Sequence, residues 1–166
     1  MPESPVRLLS PRLTVLVATK DEDGTTRAVP FSWVIPVSFQ PPLVMVAIQK
    51  GNKGTLPNLR RTGKFTVNLV SSGWAERAVK CERVKHPENA GLKVKSIDWD
   101  VPVIEEAGAW LACKVRDILD VGGDHLLVIG EVVKSDGEAK DTILHISGER
   151  FVRIGEEVRI SRHLNL

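Results

Sequence analysis

The sequence has little of what several specialised classes require. Its 166 residues hold two cysteines, Cys81 and Cys113, with no C-x-x-C pair. That usage points to neither a disulfide framework nor a zinc cluster, and two buried thiols in a reducing compartment is the expectation. Charge of one sign is also scarce: Lys and Arg number 23 and Asp and Glu 21, a net +2 with the signs interspersed. Such a balance supplies no electrostatic field for nucleic acid. Long hydrophobic runs are missing as well. Residues 13–18 and 43–48 are the most apolar stretches, and both are too short to cross a bilayer. The N-terminal Met1-Pro2-Glu3-Ser4-Pro5 lacks the apolar stretch of a signal peptide. A cytoplasmic protein that binds neither nucleic acid nor membrane is expected.

Familiar chemical signatures are missing too. No G-x-G-x-x-G follows a strand, no G-x-x-x-x-G-K-[ST] occurs, and there is no G-x-S-x-G elbow. Asp21-Glu22-Asp23-Gly24 has the wrong glycine spacing for a calcium loop. His86, His145 and His163 show no ligand spacing with one another or with a cysteine, so no metal is expected.

What is present is an ordinary folded composition: 42% hydrophobic, 27% charged, mean hydropathy −0.06. The length fits one domain over residues 1–166, large enough to bury about two thirds of its unfolded surface without a staple. Short apolar runs broken by turn residues dominate. Residues 13–19 are rich in β-branched side chains, and Asp23-Gly24 supplies the positive φ of a hairpin turn. The return segment, 25–35, contains Pro30, which cannot donate to a ladder, so an edge, a bulge or an irregular loop is expected. Residues 43–48 are continuously apolar, as in a strand covered on both faces. In 64–70, Phe65, Val67 and Leu69 share one face, and Thr66 and Asn68 the other. Further strands are predicted at 109–118, 125–134 and 151–154. Helices are predicted at 55–62, with Thr55 as cap, Pro57 in the first turn and Gly63 at the end, and at 74–83. Residues 85–101 carry no clear period. The pattern predicts a mainly β barrel with a few short helices.

Three segments have chemical potential. Gln49-Lys50-Gly51-Asn52-Lys53-Gly54-Thr55-Leu56-Pro57-Asn58 runs from a buried strand through two glycines into a helix N-terminus. Glycines let backbone approach a ligand, free N–H groups favour an anion, and Lys53 and Thr55 add a charge and a hydroxyl. A solvated turn with a threonine cap would account for the same residues. Gly122-Gly123-Asp124-His125 delivers an acid and an imidazole at the mouth of an apolar strand, a placement that suits ligand contact or a mere polar edge. Residues 28–39 offer Phe31, Trp33 and Phe39 with Ser32 and Ser38, suited to a flat heterocycle, to a core or to a subunit interface.

Together and in this order, these segments resemble the flavin reductase-like, FMN-binding split-barrel proteins, the group of flavoredoxins, archaeal ferric reductases and reductase components of two-component monooxygenases. The likeness extends through Pro41-Pro42, Thr62-Gly63-Lys64-Phe65-Thr66-Val67-Asn68-Leu69, Ala90-Gly91-Leu92, Val101-Pro102-Val103-Ile104-Glu105-Glu106-Ala107 with Cys113, and Gly130-Glu131-Val132. Residues 80–87 depart from the Asp-Lys-Phe-like stretch of such relatives. The resemblance implies a homodimeric Greek-key split barrel with flavin near the subunit interface. It implies that Ser32, Trp33, Val37 and Ser38 lie along the isoalloxazine. Asn52, Lys53, Gly54 and Thr55 would hold the phosphate with support from Asn58, and His125 would face the nicotinamide. The implied activity is transfer of hydride from NAD(P)H to bound FMN, with FAD as the alternative flavin. Electrons would pass on to ferric iron, free flavin or a partner monooxygenase. An FMN-binding electron carrier or flavin store that does not oxidise NAD(P)H itself would need the same pocket.

Overall fold

A computed structural model describes residues 4–162; Met1-Pro2-Glu3, from the N-terminal reading, and His163 lie outside it. Among the described residues, twelve strands and two α-helices follow one another. They are β1 (Arg12–Leu13), β2 (Val15–Lys20), β3 (Thr26–Phe31), β4 (Val34–Ser38), β5 (Leu43–Gln49), α1 (Thr55–Thr62), β6 (Lys64–Leu69), α2 (Ala75–Val84), β7 (Val94–Lys95), β8 (Val103–Ile104), β9 (Ala109–Asp120), β10 (His125–Gly137), β11 (Ile143–Ser147) and β12 (Arg150–Arg153). No helix among the described residues is long and apolar enough to cross a membrane.

Seven strands form one antiparallel sheet in the order β3-β2-β6-β9-β10-β5-β4. Its two edge strands, β3 and β4, are consecutive in the chain and joined only by Ser32 and Trp33. A link that short spans at most about 10 Å, so the sheet must curl until its edges meet. The barrel nevertheless stays split, because no ladder joins β3 to β4. Pro30 and Pro36 remove one backbone donor from each edge, which blunts pairing across the seam. The expectation of an edge strand around Pro30 holds.

Alternation along the strands divides the core. Val15 and Val17 of β2 point into the barrel with Val44, Val46, Ile48, Phe65, Val67, Cys113, Leu126 and Val128. Leu16 and Ala18 point the other way, under α2, with Trp74, Ala78 and Cys81. The strand covered on both faces is therefore β2. In β5 the barrel face is fully buried, while on the outer face Ala47 is buried and Leu43 and Met45 are half-buried, so the expectation of cover on both faces for 43–48 holds only in part. Thr66 and Asn68 of β6 are buried as well. Thr66 Oγ1 donates to Pro102 O (2.8 Å), and Asn68 Oδ1 accepts from Ile104 N (2.8 Å), which binds the aperiodic 85–101 stretch and its continuation to the sheet. Within that stretch lie a short 3-10 turn, Pro87–Ala90, and strand β7, which pairs with β8. β1, β11 and β12 form a small separate sheet.

Gly130 shows how tightly the barrel is filled: a Cβ there would fall 2.5 Å from Phe65 Cζ and 3.2 Å from Cys113 Cβ. Both cysteines are free and buried, and burial raises their thiols to about 11 for Cys81 and about 12 for Cys113. Leu56 and Leu59 of α1 also enter the barrel core, so α1 plugs the end reached by Gln49 and Lys64.

Candidate functional site

The glycine-rich turn lies between β5 and α1. Its residues fold as predicted, but with a different cap. The helix begins after Gly54, which provides no side-chain bond, and Thr55 is the first helical residue rather than the cap. The capping acceptor is Asn52: its Oδ1 takes Gly54 N–H (3.2 Å) and Leu56 N–H (2.9 Å). Asn52 N–H in turn donates to Gln49 O at 3.0 Å, closing the turn on the strand end. Gly63, with φ 68°, ends the helix and donates to Leu59 O at 2.8 Å.

This capping leaves Thr55 in an unusual state. Its hydroxyl Oγ1 is buried without any hydrogen-bond partner, one of four such atoms among the described residues. The other three belong to Thr14, Trp74 and Trp99, outside the turn; Thr55 directly follows Gly54 as the first residue of α1. An unsatisfied buried hydroxyl costs on the order of 1–3 kcal/mol, and an anion seated at the turn would remove that cost. The residues present thus fit a phosphate, with exposed Lys53 able to add charge from outside.

An aromatic pair stands at the same end of the barrel. His125 opens β10 and pairs in register with Gln49. Its imidazole stacks on the Trp33 indole, with ring centroids 4.5 Å apart and planes 20° from parallel. Trp33 is held in turn by its carbonyl, which accepts from Ala47 N–H at 2.9 Å. His125 Nδ1 and Asp124 Oδ1 are 2.7 Å apart. That hydrogen bond, followed by the imidazole's charge, lowers the exposed Asp124 carboxyl below its ordinary value. Lys50 ties the Gly122-Gly123 turn down: Lys50 N–H donates to Asp124 O (3.0 Å), and its ammonium pairs with Asp120 (2.9 Å).

The remaining residues singled out from sequence are distributed differently. Asn58 is buried and points to the β2–β3 hairpin, donating through Nδ2 to Thr19 Oγ1 (3.0 Å) and Asp21 Oδ1 (2.8 Å). Ser32 Oγ lies 3.1 Å from His145 Nδ1. Since His145 Nε2 faces the Gly148 carbonyl at 3.0 Å, that nitrogen carries the proton and the Ser32 hydroxyl is the donor to Nδ1. Val37 occupies a bulge, and Ser38 pairs with Leu43, six residues from Gln49 along β5, roughly 20 Å at the usual rise. Near that far end lies an apolar cleft of about 350 Å³, lined by Leu13, Val34, Pro36, Leu69 and Trp110, with neither Trp33 nor His125 in its wall. Among the described residues no cluster of three or more His, Cys, Asp or Glu could hold a metal; His163 lies outside them.

A family model for the flavin reductase like domain matches residues 8–155. The chain belongs to the flavin reductase-like family. A Pseudomonas putida protein named flavin reductase is 30% identical over 131 residues, covering 77% of this flavin reductase-like chain and 74% of the relative. The reductase component of a Rhodococcus opacus 4-nitrophenol 4-monooxygenase/4-nitrocatechol 2-monooxygenase is 27% identical over 134 residues, covering 81% and 71%. Among solved structures, Pseudomonas fluorescens 2-nitrobenzoate 2-nitroreductase superposes with a TM-score of 0.83 at 26% identity, over 92% of this chain and 85% of that one. Component B of a Bacillus cereus nitrilotriacetate monooxygenase shares the fold with a TM-score of 0.84 at 21% identity, over 96% and 98%. The mainly β split barrel and the family resemblance read from the sequence both hold.

Sequence reasoning missed the ionic group beneath the turn of this flavin reductase-like chain. Asp21, read only as part of a hairpin, receives Arg27 Nε (2.8 Å) and Asn58 Nδ2 (2.8 Å) on one oxygen, while its other oxygen faces His86 Nε2 at 3.8 Å. The one signal in the sequence was Arg27 itself, a long cation in an otherwise apolar edge strand.

Proposed function

We propose that this chain is an FMN-dependent oxidoreductase that takes hydride from NAD(P)H and passes electrons to an acceptor, with residues 1–166 as one domain. The observation that carries the reading is the shared location of an anion-ready turn and a stacked aromatic pair, linked through Gln49. A flat heterocycle bearing a phosphate ester needs both features at once. When bound, the flavin supplies the hydride-accepting and electron-donating chemistry. In this proposal Asn52 shapes the turn, and Lys53, Gly54 and Thr55 hold the phosphate. Trp33 walls the ring, and His125, oriented by Asp124, faces the nicotinamide as an electrostatic rather than covalent group. Asn58 acts through Asp21, and Ser32 fixes the seam through His145. FMN is the flavin proposed, with FAD as the alternative.

We place the protein as a homodimer in the cytoplasm. Support for a dimer comes from the outer sheet face, where Ile35 and Ile129 flank Met45 across paired strands. Ile35 is 50% exposed and the neighbouring Phe39 95% exposed, an apolar surface that a second copy would cover, with Val37 and Ser38 beside it. A partner oxygenase is proposed from the Rhodococcus opacus relative, which is a reductase component.

The test is the visible spectrum of the purified protein, identification of the released flavin, and steady-state oxidation of NADH and NADPH. A yellow protein that releases FMN and oxidises a nicotinamide supports the proposal. FMN without nicotinamide oxidation would assign the electron-carrier role instead, and a protein that neither carries nor takes up flavin would refute both.

A further inference from the structure

Gly54 has a φ of −119°, which any L-residue can adopt, so handedness does not require glycine there. Space does. A Cβ at Gly54 would lie 2.5 Å from Arg27 Nη1, 2.7 Å from Cζ and 3.0 Å from Nε. The guanidinium of β3 therefore lies flat against the turn that opens α1, reaching across the barrel seam. Asp21 sets that position, because Arg27 Nε donates to Asp21 Oδ1 at 2.8 Å. The two terminal nitrogens of Arg27 make no hydrogen bond among the described residues, and the side chain is about one-fifth exposed. The residue after Gly54 is Thr55, whose hydroxyl is buried and unpartnered. Asn58 and His86 hold Asp21 from the α1 and α2 sides, so the carboxylate is a fixed anchor rather than a competitor for the terminal nitrogens.

We propose that Arg27, anchored by Asp21 across the face of Gly54, is a direct ligand of the flavin's phosphate monoester. Its two terminal N–H groups meet the phosphate oxygens as a fork, while Thr55 donates from below. Asp21 is a positioning residue that acts through Arg27. A planar guanidinium with its Nε already committed presents the remaining donors in the geometry that phosphate oxygens accept. This inference rests on the flavin reading above and adds a residue to it.

The experiment compares binding of FMN with binding of riboflavin, which lacks the phosphate, by quenching of flavin fluorescence. Wild type, Arg27→Met and Arg27→Lys are measured, with circular dichroism confirming that each is folded. The expected result is a loss of FMN affinity of about ten- to a hundredfold in Arg27→Met, with riboflavin affinity unchanged. Arg27→Lys should fall between, because an ammonium keeps the charge but not the fork. It also keeps a cation beside Asp21, so it supplies the answer if Arg27→Met does not fold. FMN affinity unmoved in the Arg27 variants, or FMN and riboflavin weakened equally, would overturn the assignment to Arg27 while leaving the flavin reading intact. A change confined to the KM for NADPH against NADH would also overturn it, by moving the phosphate to the dinucleotide. Wild type that binds no flavin would overturn both.

Discussion

The Trp33 indole and the His125 imidazole stack 4.5 Å apart across two strands that are not neighbours, since β5 separates β4 from β10. The contact is possible because Trp33 sits at the corner where the chain crosses the barrel seam, beyond the last paired residue of β4. It gives the imidazole an aromatic face on one side and a carboxylate, Asp124, at Nδ1. His125 is thereby fixed in orientation without being sealed from solvent.

That arrangement sets the expectation for His125→Ala. Flavin binding should persist, because the proposed phosphate seat is the 51–55 turn. Hydride transfer should slow by about ten- to a thousandfold, as when one positioned polar group is lost from a site. Stopped-flow bleaching of bound flavin by NADH or NADPH reads this step. A variant that bleaches at the wild-type rate would return His125 to the role of a strand-edge residue.

Asn52 allows capping to be separated from binding. Asn52→Ala should cost about 1 kcal/mol, because two N–H groups lose their shared acceptor. That corresponds to a fall in Tm of about 2–4 °C for a chain of this size. Asn52→Asp keeps an acceptor and places a negative charge at a helix N-terminus, so stability should hold. The same charge should repel phosphate, and FMN affinity should drop while riboflavin affinity does not. Thermal melts with and without each flavin check both halves.

The dimer proposed from the outer sheet face makes a simple demand. Ile35→Lys together with Met45→Lys places two charges on adjacent strands of that face, where they would be buried by a second copy. Light scattering should report a shift from twice the 18.3 kDa chain mass to the chain mass itself. A wild-type protein that is already monomeric at micromolar concentration would refute the dimer.

Asp21 predicts an acid limb. Burial disfavours its ionised form, but the hydrogen bonds from Arg27 and Asn58, with the charges of Arg27 and His86, together outweigh it and hold the carboxyl below its ordinary 3.8. A carboxyl with a depressed folded-state pKa stabilises fully above its unfolded value, and the contribution fades as pH falls through the folded one. Wild type should therefore lose stability on acidification below about pH 4, and Asp21→Asn should lose less over the same interval while being less stable at neutral pH. Denaturant melts between about pH 2 and about pH 7 measure the difference. Parallel curves for the two proteins would contradict the assignment.

The sequence made the local features legible and left the distant contacts hidden. The helix at 55–62 carries its own stop signal in Gly63, and the hairpin carries its own turn in Asp23-Gly24, so both could be read directly. Strands β9 and β10 were recognisable but ran two and three residues further than their apolar stretches, because long paired strands support polar ends. β11 escaped notice, being short and interrupted by His145. The cap was misassigned to Thr55 because Asn52 reaches forward across two glycine-flanked residues, a geometry with no one-residue signature. The contacts of Ser32 with His145, 113 positions apart, and of Arg27 with Gly54 exist only once the sheet has curled. The extended run of β4 separates Val37 and Ser38 from Trp33, their near neighbour in sequence.

The central claim is that the turn between β5 and α1 seats the phosphate of a flavin. Titration of the folded Lys53→Ala/Thr55→Val double variant with FMN, beside wild type, tests it most directly. Removal of one charge and of the single unsatisfied hydroxyl at the turn should weaken FMN binding by about ten- to a thousandfold, with riboflavin binding little changed. Equal FMN affinity in the two proteins would contradict the account.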